Sequence, residues 1–202
     1  MTEKLRLDLE LIADQVFPNS RVLDLGCGQG ALLEALMDSK HCTGTGVEID
    51  PDAVLSAIRR GVPVLERDVT DALVDIADDS YDTVILSRTL QTMLEPEFVL
   101  QQMARVAERM IVSVPNFGYY PNRLRLGLGG RMPVSKELPF AWYNTPNLRF
   151  TTLADLEDLF ARLHLVVDRR YTYNQHGRRL RMYGRIPNLL AGAAVYVLRG
   201  RR

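Results

Sequence analysis

Residues 22–30 read VLDLGCGQG, an apolar run that leads directly into three closely spaced glycines. The apolar run predicts a buried strand, and the following ALLEALM predicts a helix with one apolar face. Glycines between a strand and a helix permit a sharp turn, and they let a ligand approach backbone N–H groups at the positive end of the helix. The stretch therefore predicts a ligand site at the carboxyl end of a strand in an α/β sheet.

Strand-like and helix-like segments alternate from residue 20 to residue 115. Further strands are predicted at TGTGVEI, PVLER, YDTVILS and MIVSVPN, and two last strands at LHLVVDRRYTY and AAVYVLR. Parallel strands need connections that cross back over the sheet. We therefore predict one α/β domain over residues 1–202, with a Rossmann-like, doubly wound, mostly parallel seven-stranded sheet and helices on both faces.

Residues 117–150 interrupt this alternation. The segment is rich in Gly, Pro and Asn, and it carries seven aromatic residues: Phe117, Tyr119, Tyr120, Phe140, Trp142, Tyr143 and Phe150. A long irregular segment in a compact domain is usually a lid, a binding loop or a partner surface. We predict that this insertion is a lid or a partner-docking segment. The alternative is that its aromatic side chains fill the core beneath a long loop.

The composition excludes several classes of protein. Hydrophobic residues make up 47% of the chain and charged residues 25%, as in ordinary globular proteins, and the two cysteines give no disulfide framework. The longest mostly apolar stretch has about 13 residues, too few for a membrane-spanning helix. No export signal is visible, and the three histidines lack metal-ligand spacing. We expect a cytoplasmic protein with no metal and no membrane partner.

The charges are unevenly distributed, although Lys+Arg and Asp+Glu both number 25. Residues 1–120 carry 10 basic and 20 acidic residues, whereas residues 121–202 carry 15 basic and 5 acidic ones. A basic half can face nucleic acid, an acidic partner or the acidic half of its own chain. The densest basic run, HGRRLRMYGR (176–185), has no recognised nucleic-acid-binding motif, so we expect no nucleic-acid partner.

Three acidic residues stand in or at the ends of the first three predicted strands. Asp24 lies within the first strand, where a carboxylate would repel a pyrophosphate but can help to hold a cationic amino-acid ligand. Glu48 ends the second strand, where a carboxylate can accept both hydroxyls of a ribose. Asp68 ends the third strand, where it can accept from an adenine amino group, or cap the helix that begins near Thr70.

Together with the glycines, these acids resemble the pattern of class I S-adenosylmethionine-dependent methyltransferases over residues 20–116. The resemblance implies S-adenosylmethionine (SAM) or its product S-adenosylhomocysteine (SAH) as the ligand. We place ten residues in the cofactor site: Asp24, Gly26, Cys27, Gly28, Gly30, Glu48, Ile49, Asp68, Val69 and Ser87. NAD is the alternative, because Gly26, Gly28 and Ala31 also satisfy the dinucleotide pattern G-x-G-x-x-G/A. We do not expect Cys27 to be a nucleophile, since no histidine lies near it in sequence.

Catalytic residues are not evident in the sequence. In this fold the methyl acceptor lies over the ends of the fourth and fifth strands, where the polar candidates are Ser87, Arg88, Gln91, Asn116 and Tyr119. They contain no clear acid–base pair. Methyl transfer can depend largely on proximity and orientation, so an enzyme is not excluded.

Four longer stretches carry a closer resemblance: VILSRTLQTM (84–93), IVSVPNFGYY (111–120), GRMPVSKELPFAWYNTPN (130–147) and PNLLAGAAVYVLR (187–199). They resemble the methionine biosynthesis protein MetW family, although Arg88 stands where the family pattern has Gln. The resemblance implies a methyltransferase fold and a homoserine O-acyltransferase as partner. The predicted function is a SAM-binding protein of methionine biosynthesis that supports this acyltransferase. The alternative is a free-standing class I methyltransferase acting on a small-molecule acceptor.

Overall fold

The computed structural model describes residues 5–174, 178–180 and 186–200. They build one mixed sheet in the order β3-β2-β1-β4-β5-β8-β6-β7. The strands are β1 (Arg21–Leu25), β2 (Thr43–Glu48), β3 (Val64–Glu66), β4 (Tyr81–Ser87), β5 (Ala107–Pro115), β6 (Leu165–Tyr173), β7 (Arg179–Leu180) and β8 (Ala193–Gly200). Strands β1 to β5 are parallel to one another, and β8 pairs antiparallel with both β5 and β6. The predicted doubly wound, mostly parallel sheet is confirmed.

Helices cover both faces of this sheet. They are α1 (Leu7–Gln15), α2 (Ala31–Lys40), α3 (Pro51–Arg59), α4 (Val69–Asp75), α5 (Pro96–Val106), α6 (Tyr120–Gly129), α7 (Leu153–Arg162) and α8 (Ile186–Leu190), with a 3₁₀ turn at Leu90–Thr92. Helices α4, α5 and α7 bury their apolar sides on one face, and α1, α2 and α3 on the other. The continuous apolar strands follow from this arrangement, because alternate side chains enter opposite cores. Within β4, for example, Val84 and Leu86 belong to one core and Ile85 to the other.

The sheet has one strand more than the seven predicted. The additional strand, β7, is only two residues long and pairs antiparallel with β6 at the sheet edge. Two residues are too few to show a period in the sequence, so tertiary pairing alone defines this strand. In the basic run 176–185, Arg178, Arg179 and Leu180 are described, and the guanidinium of Arg179 lies 4.3 Å from the centroid of the Tyr171 ring. The other residues of that run lie outside the described ranges.

The insertion is more ordered than the predicted irregular segment, because α6 occupies its first third. Pro121 lies in the first turn of α6, and Gly130 ends the helix in the left-handed region at φ 58°. The leucines of α6 at 124, 126 and 128 are spaced by two and are all exposed, so the sequence shows no helical apolar stripe. The two ends of the insertion lie side by side, since the Phe117 N–H donates to the Thr151 carbonyl at 3.1 Å.

None of the helices in the described ranges combines the length and the apolar composition that a membrane span requires.

Candidate functional site

The turn after β1 has the backbone that its glycines predict. Gly26, Gly28 and Gly30 all have positive φ, at 70°, 54° and 79°, which side chains rarely tolerate. A Cβ at Gly26 would also lie 2.6 Å from the Thr89 hydroxyl oxygen. The N–H of Gly26 donates to the Val47 carbonyl at 2.8 Å, which ties the turn to β2. Helix α2 begins directly afterwards at Ala31, so its positive end faces the turn.

Asp24 is the least satisfied acidic group of the site. Strand β1 buries the side chain to 2% exposure, and Oδ1 has no hydrogen-bond partner among the described residues. Burial and, secondarily, the charge of Glu48 raise the pKa of Asp24 to about 7, against a smaller lowering by Arg6. A buried carboxylate in this state gains most from a cationic partner, because its charge is otherwise poorly compensated.

The Glu48 carboxylate connects the end of β2 to the glycine turn. Oε2 accepts the Gly28 N–H at 2.8 Å, and Oε1 accepts the N–H groups of Ile49 and Asp50 at 2.9 and 3.0 Å. These three bonds fix the carboxylate at the carboxyl edge of the sheet. A carboxylate has about four lone-pair positions, so it can still accept from a ligand hydroxyl.

Asp68 caps a helix, which is one of the two roles open to it from the sequence. Its Oδ1 accepts the Thr70 N–H at 2.7 Å at the start of α4. The second oxygen is left for a ligand, so the adenine contact stays a prediction. Val69 is buried in the core beneath α4, whereas Ile49 is 63% exposed at the end of β2. Of these two apolar members of the predicted site, only Ile49 is therefore accessible from solvent to a large extent.

A cavity of about 270 Å³ lies above the turn. It brings together five of the predicted site residues: Asp24, Gly26, Cys27, Gly28 and Ser87. Glu48 is joined to them through Gly28, while Ile49, Asp68 and Val69 are not part of the cavity wall. The sequence did not indicate the other charged members of the wall, Arg6 and Arg60. Their chain neighbours show ordinary helical patterns, and only the tertiary fold brings them to the turn.

The charges around the cavity have both signs. Asp24 lies at its base, and Arg6 and Arg60 are part of its wall. Arg6 is paired with Asp8 at 3.2 Å, and Arg60 with Glu34 at 2.7 Å. A carboxylate beside guanidinium groups suits a ligand that carries an ammonium and a carboxylate on the same carbon atom. The cavity can therefore bind the amino-acid portion of a ligand.

Cys27 lies in the wall as a protonated thiol. Burial, followed by the negative charges of Asp24 and Glu48, raises the pKa of Cys27 to about 12. Since the thiolate is the nucleophilic form, the side chain is unreactive at neutral pH. The Cys27 side chain packs closely against Gly46 of β2. A Cβ at Gly46 would come too close to the Cys27 sulfur, so the turn can lie against β2 only because position 46 is glycine.

Polar groups beyond β4 and β5 are largely engaged within the protein. Asn116 is buried and donates to the carbonyls of Asn188 and Ala191 at 3.0 and 2.7 Å. The Gln91 amide nitrogen donates to the Arg88 carbonyl, and the hydroxyls of Ser87 and Ser113 lie 3.1 Å apart. Tyr119 is buried. Its burial and, to a smaller extent, the neighbouring Tyr120 raise the pKa of Tyr119 above the usual value. These groups orient the strand ends, and no general base is evident among them.

Metal ligands are not grouped in the described part of the chain. No set of three or more His, Cys, Asp or Glu side chains lies close enough together there to hold a metal ion.

Comparison with known proteins gives matches over most of the chain. A model of the methionine biosynthesis protein MetW family matches residues 6–198. The bifunctional methionine biosynthesis protein MetXA/MetW of Rhodopirellula baltica is 37% identical over 201 residues, covering 95% of this chain and 32% of that protein. This chain thus spans about a third of the length of that relative.

Solved structures share the fold at low sequence identity. A SAM-dependent methyltransferase from Thermotoga maritima has a TM-score of 0.68 at 19% identity, covering 96% of this chain and 88% of its own. The [4+2]-cyclase SpnF has a TM-score of 0.69 at 15% identity, covering 95% and 80%. The same fold therefore carries different chemistries, and these likenesses show the fold alone. The family match rests instead on the sequence over nearly the whole chain, and by that match this protein belongs to the methionine biosynthesis protein MetW family.

Proposed function

We propose that this protein binds SAM or SAH in the cavity above the glycine turn and acts in methionine biosynthesis by supporting a homoserine O-acyltransferase. The observation that carries the ligand assignment is the buried Asp24 Oδ1, which has no partner among the described residues and belongs to a cavity that Arg6 and Arg60 also line. The ammonium group of SAM or SAH would pair with Asp24, and its carboxylate would lie toward the guanidinium groups. A dinucleotide pyrophosphate would instead meet the Asp24 carboxylate.

The remaining parts of the ligand have matching groups along the same sheet edge. Glu48 would accept from the ribose hydroxyls while it holds Gly28 and Ile49 in place. Asp68 would accept from the adenine amino group through the oxygen that does not cap α4. Bound SAM would supply an activated methyl group. The described residues around the strand ends contain no acid–base pair, which favours a supporting role over a free-standing methyltransferase whose acceptor must lose a proton.

The partner assignment is supported by the relative in which MetXA and MetW share one chain. It is also supported by the exposure of the insertion. We call the exposed apolar side chains of residues 120–148 the insertion surface. It comprises Tyr120, Leu124, Leu126, Leu128, Val134, Phe140, Trp142, Tyr143 and Leu148. Exposed large apolar side chains in such number within one segment indicate an interaction site, and aromatic residues with Arg are the types that anchor interfaces.

The alternative was that the aromatic residues of the insertion fill a core. Only two of the seven have the burial that this alternative requires. Tyr119 is buried and Phe117 is half-buried, whereas the other five aromatic side chains of the insertion are exposed. Trp142 and Tyr143 are 73% and 74% exposed. The insertion surface is therefore available to a partner without rearrangement of the core.

Glu48→Ala tests the ligand assignment. We expect SAH binding to weaken at least tenfold, because a charge-assisted hydrogen bond contributes about 1.5–3 kcal/mol. Titration calorimetry of SAH with wild type and variant measures the effect. Glu66→Ala, which removes an exposed carboxylate from the adjacent strand β3, is the matched control and should bind as wild type. Equal affinity in wild type and Glu48→Ala would overturn the ribose contact. NADH binding without SAH binding would overturn the cofactor.

The partner half of the proposal is tested with the acyltransferase itself. Co-purification of the two proteins, and higher acyltransferase activity in the presence of this chain, are the expected results. An acyltransferase with the same activity and stability with and without this chain would contradict the supporting role. Turnover of SAM by this chain alone with a small-molecule acceptor would favour the free-standing enzyme.

A further inference from the structure

A series of ion pairs runs from the cavity wall to the insertion. Arg6, in the wall, pairs with Asp8 of α1 at 3.2 Å. The same Asp8 oxygen lies 2.8 Å from Arg88 Nε, just beyond the end of β4. Arg88 in turn donates through Nη2 to Glu137 of the insertion at 2.6 Å. We call these four residues the ion-pair chain.

The interior of the ion-pair chain is removed from solvent. The side chains of Asp8 and Glu137 are 1% and 8% exposed. Burial alone would lower the pKa of Arg88, but Asp8, Tyr173 and Glu137 raise it above its usual value, so the guanidinium stays charged. Changing one partner of a buried ion pair is costly, because the other charge is left uncompensated. A change in the pairing of Asp8 therefore alters the electrostatic environment of Arg88 and, through it, that of Glu137.

The backbone around Arg88 is held in a form that few non-glycine residues adopt. Its φ is 55°, and its N–H bonds the Ser113 carbonyl and hydroxyl at 2.9 and 3.1 Å. The preceding residue, Ser87, belongs to the cavity wall. A second connection passes through Gln91, whose carbonyl accepts the N–H groups of Leu148 and Arg149, both at 2.9 Å. The segment 131–148 is thus tied to residues that follow β4 at two points, at Glu137 in its interior and at Leu148 at its C-terminal end.

Arg6 makes the longest of the three contacts in the ion-pair chain. It is largely exposed, and its two bonds to Asp8 are both 3.2 Å, longer than the 2.7–2.9 Å usual for a charge-assisted hydrogen bond. Arg6 also acts electrostatically on Asp24 at the base of the cavity. A ligand carboxylate in the cavity is therefore placed to draw Arg6 away from Asp8.

We propose that the carboxylate of a bound amino-acid ligand competes with Asp8 for Arg6, and that the ion-pair chain passes this change to Glu137. Occupancy of the cavity then alters the mobility of residues 131–148 and the affinity of the insertion surface for its partner. The inference rests on the proposed function, and it adds that the ligand controls the partner interaction. The direction of the effect on Glu137 follows from the pairing of Asp8. When Arg6 leaves, Asp8 has Arg88 as its remaining guanidinium partner, and the contact between Arg88 and Glu137 weakens.

Hydrogen–deuterium exchange of the full chain tests this coupling. SAH is compared with 5′-methylthioadenosine, a nucleoside of the same kind that has no amino acid group. Because the Arg88–Glu137 contact weakens, we expect saturating SAH to raise the exchange rate of residues 131–148 at least threefold and 5′-methylthioadenosine to leave it unchanged. In Glu137→Gln, SAH should still bind but should no longer change this exchange. Glu97→Gln, which removes the exposed Glu97–Arg162 pair, is the matched control and should respond as wild type.

The outcomes separate the coupling from the proposed function. If calorimetry shows no SAH binding, both fail. If SAH binds and slows the exchange of residues 131–148, or if both ligands leave it equally unaffected or equally changed, the coupling alone is overturned. A full response in Glu137→Gln also overturns it. The contrast between the two ligands in wild type needs no variant, so it decides the question even if Glu137→Gln does not fold.

Discussion

Replacing Trp142 and Tyr143 together by alanine is expected to abolish co-purification with the acyltransferase and to leave the melting temperature of this protein nearly unchanged. Both side chains are largely exposed, and their rings contact each other edge to face with centroids 5.7 Å apart. Truncating exposed side chains removes little buried area, so the free energy of unfolding should change by less than about 0.5 kcal/mol. Buried aromatic anchors at an interface, in contrast, carry much of the binding energy.

Phe160→Ala is the matched control for this prediction. Phe160 is fully buried and packs against Tyr196, with ring centroids 5.3 Å apart. Its truncation should cost about 3–5 kcal/mol of stability, while the protein that remains folded should still bind the partner. If Trp142→Ala/Tyr143→Ala lowers the melting temperature as much as Phe160→Ala, the insertion aromatics fill a core. Undiminished co-purification would place the partner on another surface.

The second large effect is a pH dependence of SAH binding that comes from Asp24. Its pKa of about 7 in the free protein means that much of the carboxyl is protonated at and below that pH. Pairing with a ligand ammonium requires the ionised form, so binding must release a proton. The affinity should therefore rise by up to about tenfold per pH unit as the pH increases toward 7, and then level off. Titration calorimetry between pH 5 and about pH 7.5, in buffers of different ionisation enthalpy, measures both affinity and proton release.

Asp24→Asn should bind SAH more weakly at pH 7.5 and show no such slope, whereas Asp71→Asn, at an exposed position of α4, should keep the wild-type slope. The stability of the free protein should change with pH in the opposite direction to the affinity. The folded state keeps a proton that the unfolded chain releases near pH 4, so the free energy of unfolding should fall as the pH rises from about 4 to 7. A pH-independent affinity in wild type would contradict the role of Asp24.

The sequence was sufficient to predict the fold and the site where the local pattern of residues also determines their chemistry. The turn from Gly26 to Gly30 shows its geometry in the residue types themselves, and the strands show it in continuous apolar runs. The carboxyl ends of β1 and β2 must meet in a parallel sheet, which is why Asp24 and Glu48 could be placed near one turn. Asp68 had two roles open to it, and the capping role is the one that a single chain segment determines.

The remaining features depend on contacts between distant segments. Asp8, Arg88 and Glu137 lie 80 and 49 positions apart, and nothing in their surroundings marks them as partners. In the sequence Arg88 was a polar candidate at a strand end and a departure from the family pattern, and the structure gives it two acidic partners. Helix α6 escaped prediction because its leucines face solvent, so they lack the period that burial imposes on a helix.

The exposed position of Trp142 determines how this protein can be observed. Trp142 is the only tryptophan in the chain, and it lies in the insertion rather than in either core. Its indole is already largely exposed to water in the folded state, so loss of the cores should shift its emission little. Intrinsic fluorescence is consequently a poor record of unfolding, and circular dichroism should be used for melting curves. The same fluorophore becomes a sensitive reporter when a second protein covers the insertion, since transfer of the indole to an apolar contact moves its emission to shorter wavelength.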